Sequence, residues 1–229
     1  MFLSKKINNK TVYYSDFIPQ IEHFFTTREL IINENKSEVA NYLKIDEKKL
    51  IKPIQTHSDN VEIIKEGVFE YPNCDALILN KKDYAIYLNF ADCTPIILYD
   101  DKNKIGAIAH AGWRGTAQAI VQKTIFKMQE NYQTKSEDIV ALIGPCISFS
   151  CFETSNEAIS LLSKTIKNKD NVFYDNRADL KEINKKQLIE IGVNKIDVCP
   201  FCTVLDNDKF FSYRKENKTQ KRHSALIKF

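Results

Sequence analysis

Residues Ala76–Ala109 read ALILNKKDYAIYLNFADCTPIILYDDKNKIGAIA. Within this stretch Ala76–Leu79, Ala85–Phe90, Pro95–Tyr99 and Ile105–Ala109 are short apolar runs, rich in β-branched and aromatic residues and bounded by turn residues. Such runs read as strands. Two more, Ile51–Thr56 and Val61–Lys65, lie just upstream, so strands cluster from Ile51 to Ala109 with no helix between them. A doubly wound α/β chain would alternate strand and helix regularly. The expected fold class is therefore α+β, a single domain spanning residues 1–229 in which mixed β-sheets are flanked by helices.

Outside this stretch the pattern predicts further strands at Ile139–Ile143, Lys195–Val198 and Phe210–Tyr213. Helical spacing of Ala117, Ile120, Val121, Ile125 and Met128 predicts a helix over Thr116–Tyr132. Leu180, Ile183, Leu188 and Ile191 predict another over Asp179–Ile191, with Asp179 as its N-cap and Gly192 as its stop. A third is expected at Ser155–Lys167.

The chain has 229 residues, 43% of them hydrophobic, enough for one sizeable core. A net charge of +3 is too weak to indicate a nucleic-acid partner. The one basic cluster, Arg214-Lys215, Lys218 and Lys221-Arg222-His223, reads as a solvated edge or a small-anion site. No stretch approaches the ~18 apolar residues of a membrane span, and apolar residues stop after Leu3, so no secretory leader is read. The expectation is a cytoplasmic protein, a monomer or small homo-oligomer without membrane partners. Its six cysteines are then thiols or site residues and not a disulfide framework. Cys199-Pro200-Phe201-Cys202 has the form of a redox pair, but a turn follows it where such a pair would open a helix.

Chemistry concentrates at strand ends. The chain has four histidines, His23, His57, His110 and His223. His57 closes Ile54-Gln55-Thr56-His57, and His110 ends the run Ile105–Ala109. Between them Cys93 sits at the junction of two apolar runs, in Ala91-Asp92-Cys93-Thr94-Pro95. Two imidazoles and a thiolate suit zinc, and three protein ligands leave a fourth position for water or substrate. The same residues allow a metal-free reading, a thiolate activated by histidine, with Asp92 or Asp75 orienting the imidazole. Spacing alone leaves both open. Trp113 is read as core or as a base-stacking platform.

Gln55-Thr56-His57, Ala91-Asp92-Cys93-Thr94-Pro95 and His110-Ala111-Gly112-Trp113-Arg114-Gly115-Thr116 resemble, in order, the three signature blocks of the bacterial laccase-domain family. These small metal-site proteins were once called polyphenol oxidases and are now read as purine nucleoside phosphorylases. Phe24-Phe25-Thr26-Thr27-Arg28, Cys74-Asp75-Ala76-Leu77, Ile143–Ile147 with Cys151-Phe152-Glu153, Cys202-Thr203 and Phe210–Arg214 resemble its other blocks. The resemblance implies sheets flanked by helices, a fold also seen in bacterial deamidase toxins that use a Cys–His pair. It implies that His57, Cys93 and His110 are both the catalytic residues and the metal ligands, for zinc or, alternatively, copper. It implies phosphorolysis of adenosine, inosine and S-methyl-5′-thioadenosine to free base and sugar 1-phosphate, with adenosine deamination as a side activity. Two other readings accompany it: copper-dependent polyphenol oxidation, and amide hydrolysis by the Cys–His pair in peptidoglycan editing. Phosphorolysis needs phosphate held beside the sugar, and arginine's fork suits that. Arg28, Arg114 and Arg214 are the candidates, each lying in a matching block. The chain departs from the family pattern at Glu29-Leu30-Ile31, at Asn89-Phe90 and in the tail Thr219–Arg222.

Overall fold

The computed structural model describes residues 1–229. In chain order its elements are β1 (Phe2–Ile7), β2 (Lys10–Ser15), β3 (Glu22–Thr26), α1 (Lys36–Leu43), β4 (Leu50–Ile51), β5 (Val61–Ile63), β6 (Ala76–Leu79), β7 (Ala85–Phe90), β8 (Thr94–Asp100), β9 (Ile105–Ala111), α2 (Trp113–Ala117), α3 (Ile120–Tyr132), β10 (Ile139–Ile143), α4 (Asn156–Ser163), β11 (Phe173–Tyr174), β12 (Arg177–Ala178), α5 (Leu180–Glu190), β13 (Lys195–Val198) and β14 (His223–Lys228). One six-stranded mixed sheet has the order β1-β2-β3-β14-β7-β4, and the other β13-β10-β8-β9-β6-β5. This is the expected α+β class.

The two sheets pack face to face. Phe25, Leu88 and Ile227 of the first sheet and Leu77, Ile97, Ile108 and Leu142 of the second share one buried cluster. The outer face of the second sheet carries Ile96, Leu98, Ala107 and Ala141 against Ile120, Val121, Ile125 and Met128 of α3. The outer face of the first sheet is covered by α1 through Val39, Ala40 and Leu43. The layers thus run helix, sheet, sheet, helix. All seven residues of β8 are buried because Ile96 and Leu98 face the helices while Ile97 and Tyr99 face the other sheet. A strand covered on both faces shows a continuous apolar run without alternation, and the stretch from residue 76 to 109 reads that way.

Several expectations need correction. Phe210–Tyr213 is not a strand but part of a turn-rich loop. The Phe210 ring is buried against Tyr13, Phe201 and His223. Its carbonyl accepts from the side chains of Arg28 and Asn207, so side chains replace a ladder partner. Of Ile51–Thr56 only Ile51 is strand, as the second residue of β4. The helix expected over Thr116–Tyr132 is two helices, broken at Ala119, which takes a left-handed φ of 55°. The break lets Trp113 and Ala117 pack on the α4/α5 cluster while Ile120, Val121 and Ile125 face the second sheet. The Ser155–Lys167 helix is shorter, Asn156–Ser163, capped by Ser155 accepting from the Ala158 amide. Asp179 caps α5 as expected, accepting from the Glu182 amide at 3.0 Å. No helix is long and apolar enough to cross a membrane.

His223 opens β14 fully buried, packed between the Phe90 and Phe210 rings. Burial pushes its pKa down to about 3. The unfolded chain therefore binds a proton below pH 6.5 that the folded chain refuses. The His223 contribution to stability should be level above that pH and fall as pH drops from 6.5 toward 3, by roughly 3 kcal/mol at pH 4. Urea melts of the wild type and His223→Phe between pH 4 and 8 check this. The variant's curve should lack that acid-side slope, and equal slopes would refute the assignment.

Candidate active site

Asp75, the residue before β6, is completely buried and organises the site. One carboxylate oxygen accepts from the Ser58 amide and hydroxyl, both at 2.7 Å, and from the Thr56 amide at 3.0 Å. The other accepts from the His57 amide at 3.1 Å and from His110 Nδ1 at 2.7 Å. Desolvation opposes ionisation of this carboxyl, but these donors overcome it and hold its pKa far below the usual carboxylate range. With Asp75 ionised, Nδ1 of His110 donates its proton to the carboxylate, which leaves Nε2 as the ring nitrogen available to the cluster. The backbone agrees: the His110 amide donates to the Asp75 carbonyl at 2.7 Å. His57 itself has φ 61°, a left-handed conformation that its tethered loop sustains.

Cys93 lies in the tight turn from β7 to β8. Asp92 before it has φ 83°. The Asp92 carboxylate accepts from Thr203 Oγ1 at 2.6 Å and from the Arg214 amide at 2.7 Å, which docks the C-terminal loop onto the turn. Of the two candidate acids, Asp75 orients the imidazole and Asp92 positions the cysteine turn.

These elements bring His57, Cys93 and His110 together, with one donor atom from each within 4.8 Å of the others. The two imidazole rings lie 4.8 Å apart, and Phe90 packs on His110 at 5.3 Å. His110 is buried, Cys93 half-buried and His57 exposed, so the cluster opens to solvent on one side. Gly112 makes room for it: a Cβ there would lie 2.7 Å from Cys93 Sγ and 3.4 Å from the His57 ring. Burial disfavours the Cys93 thiolate, but His110 and His57 outweigh it and bring the pKa down to about 6. Burial likewise disfavours the His110 cation, while Cys93 and Asp75 raise its pKa to about 9. Two imidazoles and a soft thiolate with one side open are a donor set that can hold a metal ion. The Asp75–His110 link is of the kind that fixes a ligating ring.

The arginines differ. Arg214 is exposed, hangs from Asp92 by its backbone, and donates to the Glu153 carbonyl at 2.9 Å. Arg114 is exposed at the start of α2, stacked 4.3 Å from the centre of the Trp113 ring, with no acceptor for its guanidinium. Arg28 instead makes a two-pronged pair with Glu216 at 2.8 and 3.1 Å and lies 4.4 Å over the Phe211 ring, so its charge is already neutralised. Trp113 is half-buried against the α4/α5 cluster. Cys199 and Cys202 are buried free thiols, and burial pushes Cys199 up to about 11, far from a reactive thiolate. Ser58, Thr203 and Gly112 also support the site; Gly112 and Thr203 lie in the matching blocks, whereas Ser58 follows one and carries no signal of its own.

Comparison with known proteins agrees with this geometry. Residues 26–229 match the family model described as multi-copper polyphenol oxidoreductase laccase. A purine nucleoside phosphorylase of Clostridium acetobutylicum is 31% identical over 99% of this chain and 94% of its own. An adenosine deaminase from an unknown prokaryotic organism is 31% identical over 77% of this chain and 74% of its own. Among solved structures, the hypothetical protein YfiH of Bacillus licheniformis superposes with a TM-score of 0.90, at 24% identity and 98% coverage of each chain. The chain belongs to the multi-copper polyphenol oxidoreductase laccase family.

Proposed function

We propose that residues 1–229 act as one catalytic domain, a purine nucleoside phosphorylase that converts adenosine, inosine and S-methyl-5′-thioadenosine with phosphate into free base and sugar 1-phosphate. Adenosine deamination is the side activity. The observation that carries this reading is the convergence of His57, Cys93 and His110 on an open face, with Asp75 fixing both histidines. The names borne by the relatives, purine nucleoside phosphorylase and adenosine deaminase, point the same way.

In this reading His57, Cys93 and His110 hold zinc through imidazole nitrogens and a thiolate. Bound there, zinc supplies a Lewis acid and a water of lowered pKa, the requirement for deamination at C6 of adenine. Asp75 keeps the His110 proton on Nδ1 and so keeps Nε2 directed at the cluster. The exposed edge at His57 admits the nucleoside. Arg114 and Arg214 neutralise the phosphate oxygens at the rim, and Arg28 supports the C-terminal loop through Glu216. Arg114→Ala and Arg214→Ala should each raise KM for phosphate about tenfold with Tm nearly unchanged. Arg28→Ala should instead lower stability by about 2 kcal/mol, because Glu216 and two carbonyls lose their donor. Phosphate-dependence kinetics and thermal melts separate the two behaviours, and a phosphate KM unmoved in both rim variants would refute their role.

A second reading rests on one feature. Cys93, His110 and Asp75 form a thiolate–imidazole–carboxylate series like that of cysteine hydrolases, able to open a small amide in peptidoglycan editing. Polyphenol oxidation fits less well. His23 is bonded to the Ser15 amide and His223 is sealed in the core, so neither extends the cluster into a multi-copper site. The test incubates protein with adenosine, inosine or S-methyl-5′-thioadenosine, with and without phosphate, and separates the products by chromatography. Phosphate-dependent release of base is expected. No turnover of any nucleoside by folded, zinc-loaded protein would refute the proposal and turn attention to amides.

A further inference from the structure

A second concave site lies on the face of β7 opposite the triplet. Phe90, which touches His110, belongs to the inner core between the sheets. Tyr87 and Leu50 belong to the outer core beneath α1. Beside them is a cavity of ≈ 410 Å³, within the range that small molecules fill. Its floor is the buried Leu50 and Tyr87, and Phe69, 45% exposed, forms a wall. Lys36, Lys48 and Lys52 surround it, and no residue of the triplet takes part.

Three lysines line this apolar floor, while Glu34, Glu38 and Glu47 line the adjoining hollow that shares Lys36. Nearby Lys10 and Lys49 pair with Glu38 and Asp83. Lys36, Lys48 and Lys52 have no carboxylate partner, and the one hydrogen bond of the Lys52 ammonium goes to the Pro53 carbonyl at 3.3 Å. Burial and then the charge of Lys36 pull the Lys52 pKa down, so these two charges act on one another. An anion would relieve that repulsion, and lysine binds phosphate as a point charge. Inorganic phosphate alone would leave the Phe69 ring in water. A neutral aromatic molecule would cover the ring but leave the lysines unpaired. A ligand carrying both features satisfies both halves of the cavity.

We propose that this cavity binds a small amphipathic anion, a flat aromatic body bearing a phosphate group, at a site separate from the catalytic triplet. The fluorescent probe 1-naphthyl phosphate, titrated into the full-length protein, tests it. Saturable binding of one probe per chain is expected, with 1-naphthol and inorganic phosphate each binding about tenfold more weakly or worse. Lys52→Gln and Phe69→Ala should each weaken probe binding about tenfold. Phe69 is exposed and Lys52 half-buried with a single 3.3 Å hydrogen bond, so Tm should stay within a few degrees of wild type. Cys93→Ala should bind the probe as wild type does. The proposal is overturned if binding does not saturate below millimolar probe, if Lys52→Gln and Phe69→Ala bind unchanged, or if Cys93→Ala abolishes binding and so places the probe in the catalytic cluster.

Discussion

Asp75→Asn is expected to lower stability by about 3 kcal/mol, a Tm drop of roughly 8–10 °C for a chain of this size, and to cut kcat/KM at least tenfold. The carboxylate accepts from the Thr56, His57 and Ser58 amides, the Ser58 hydroxyl and His110 Nδ1. Every one of these groups is a donor, and an amide has one acceptor oxygen and one donor nitrogen. If the amide nitrogen takes the place facing Ser58 and Thr56, buried N–H groups meet a third donor and lose their partner. If it takes the place facing His110, Nδ1 must accept, the proton moves to Nε2, and the lone pair directed at the cluster disappears. One arrangement costs stability and the other costs the site, so no rotamer leaves both intact. Thermal melts and metal content measured on the same sample read the two costs separately. A variant that melts within about 2 °C of wild type and keeps its metal would show that Asp75 is not the organising group.

The reach of the sequence reading follows from what each residue interacts with. The strands from Ala76 to Ala109 were legible because both sheet faces are covered, which makes the runs apolar throughout. Asp179 was legible because a cap acts on an amide three residues away. β14 was not: its partners are Phe24 and Tyr87, opposite Leu226, and no local pattern in His223–Lys228 announces a central strand between two others. The β1–β2 hairpin escaped notice because its strands are half polar; its turn, Asn8-Asn9 with φ 46° and 66°, carries the signal that residue types tolerant of positive φ provide. Ala119 hides a helix break because alanine is the best helix former, and only tertiary packing puts it at positive φ. At the site, the spacing of His57, Cys93 and His110 carried little weight by itself. Their convergence depends on Asp75, and the choice between Asp75 and Asp92 depends on which carboxylate reaches a ring nitrogen 35 residues away in sequence. Arg28, Arg114 and Arg214 look equivalent in their blocks, and only Glu216 distinguishes the first.

Cys93→Ala is expected to reduce nucleoside turnover by about a thousandfold or more while leaving the fold in place. The thiol is half-buried and its removal exposes no unsatisfied backbone group, so Tm should move by no more than a few degrees. Loss of activity follows whether Cys93 is a ligand or a nucleophile, so metal removal must accompany the variant. As a ligand, Cys93 supplies one of three donors, and neither His57 nor His110 has another soft donor within reach. Wild type should then retain about one zinc per chain after dialysis, lose activity to a strong chelator and regain it with added zinc. Cys93→Ala should retain none. As a nucleophile, the thiolate favoured by His110 and His57 would keep its activity in chelator and lose it to iodoacetamide. Zinc bound through the thiolate should instead protect Cys93 from the alkylating agent, so the order in which chelator and iodoacetamide are added becomes informative. Alkylation of zinc-loaded protein that is slow, and becomes fast after chelation, requires the sulfur to be a ligand. Nucleoside turnover that survives chelation but not alkylation would instead assign Cys93 the part of a nucleophile and remove the metal from the reaction.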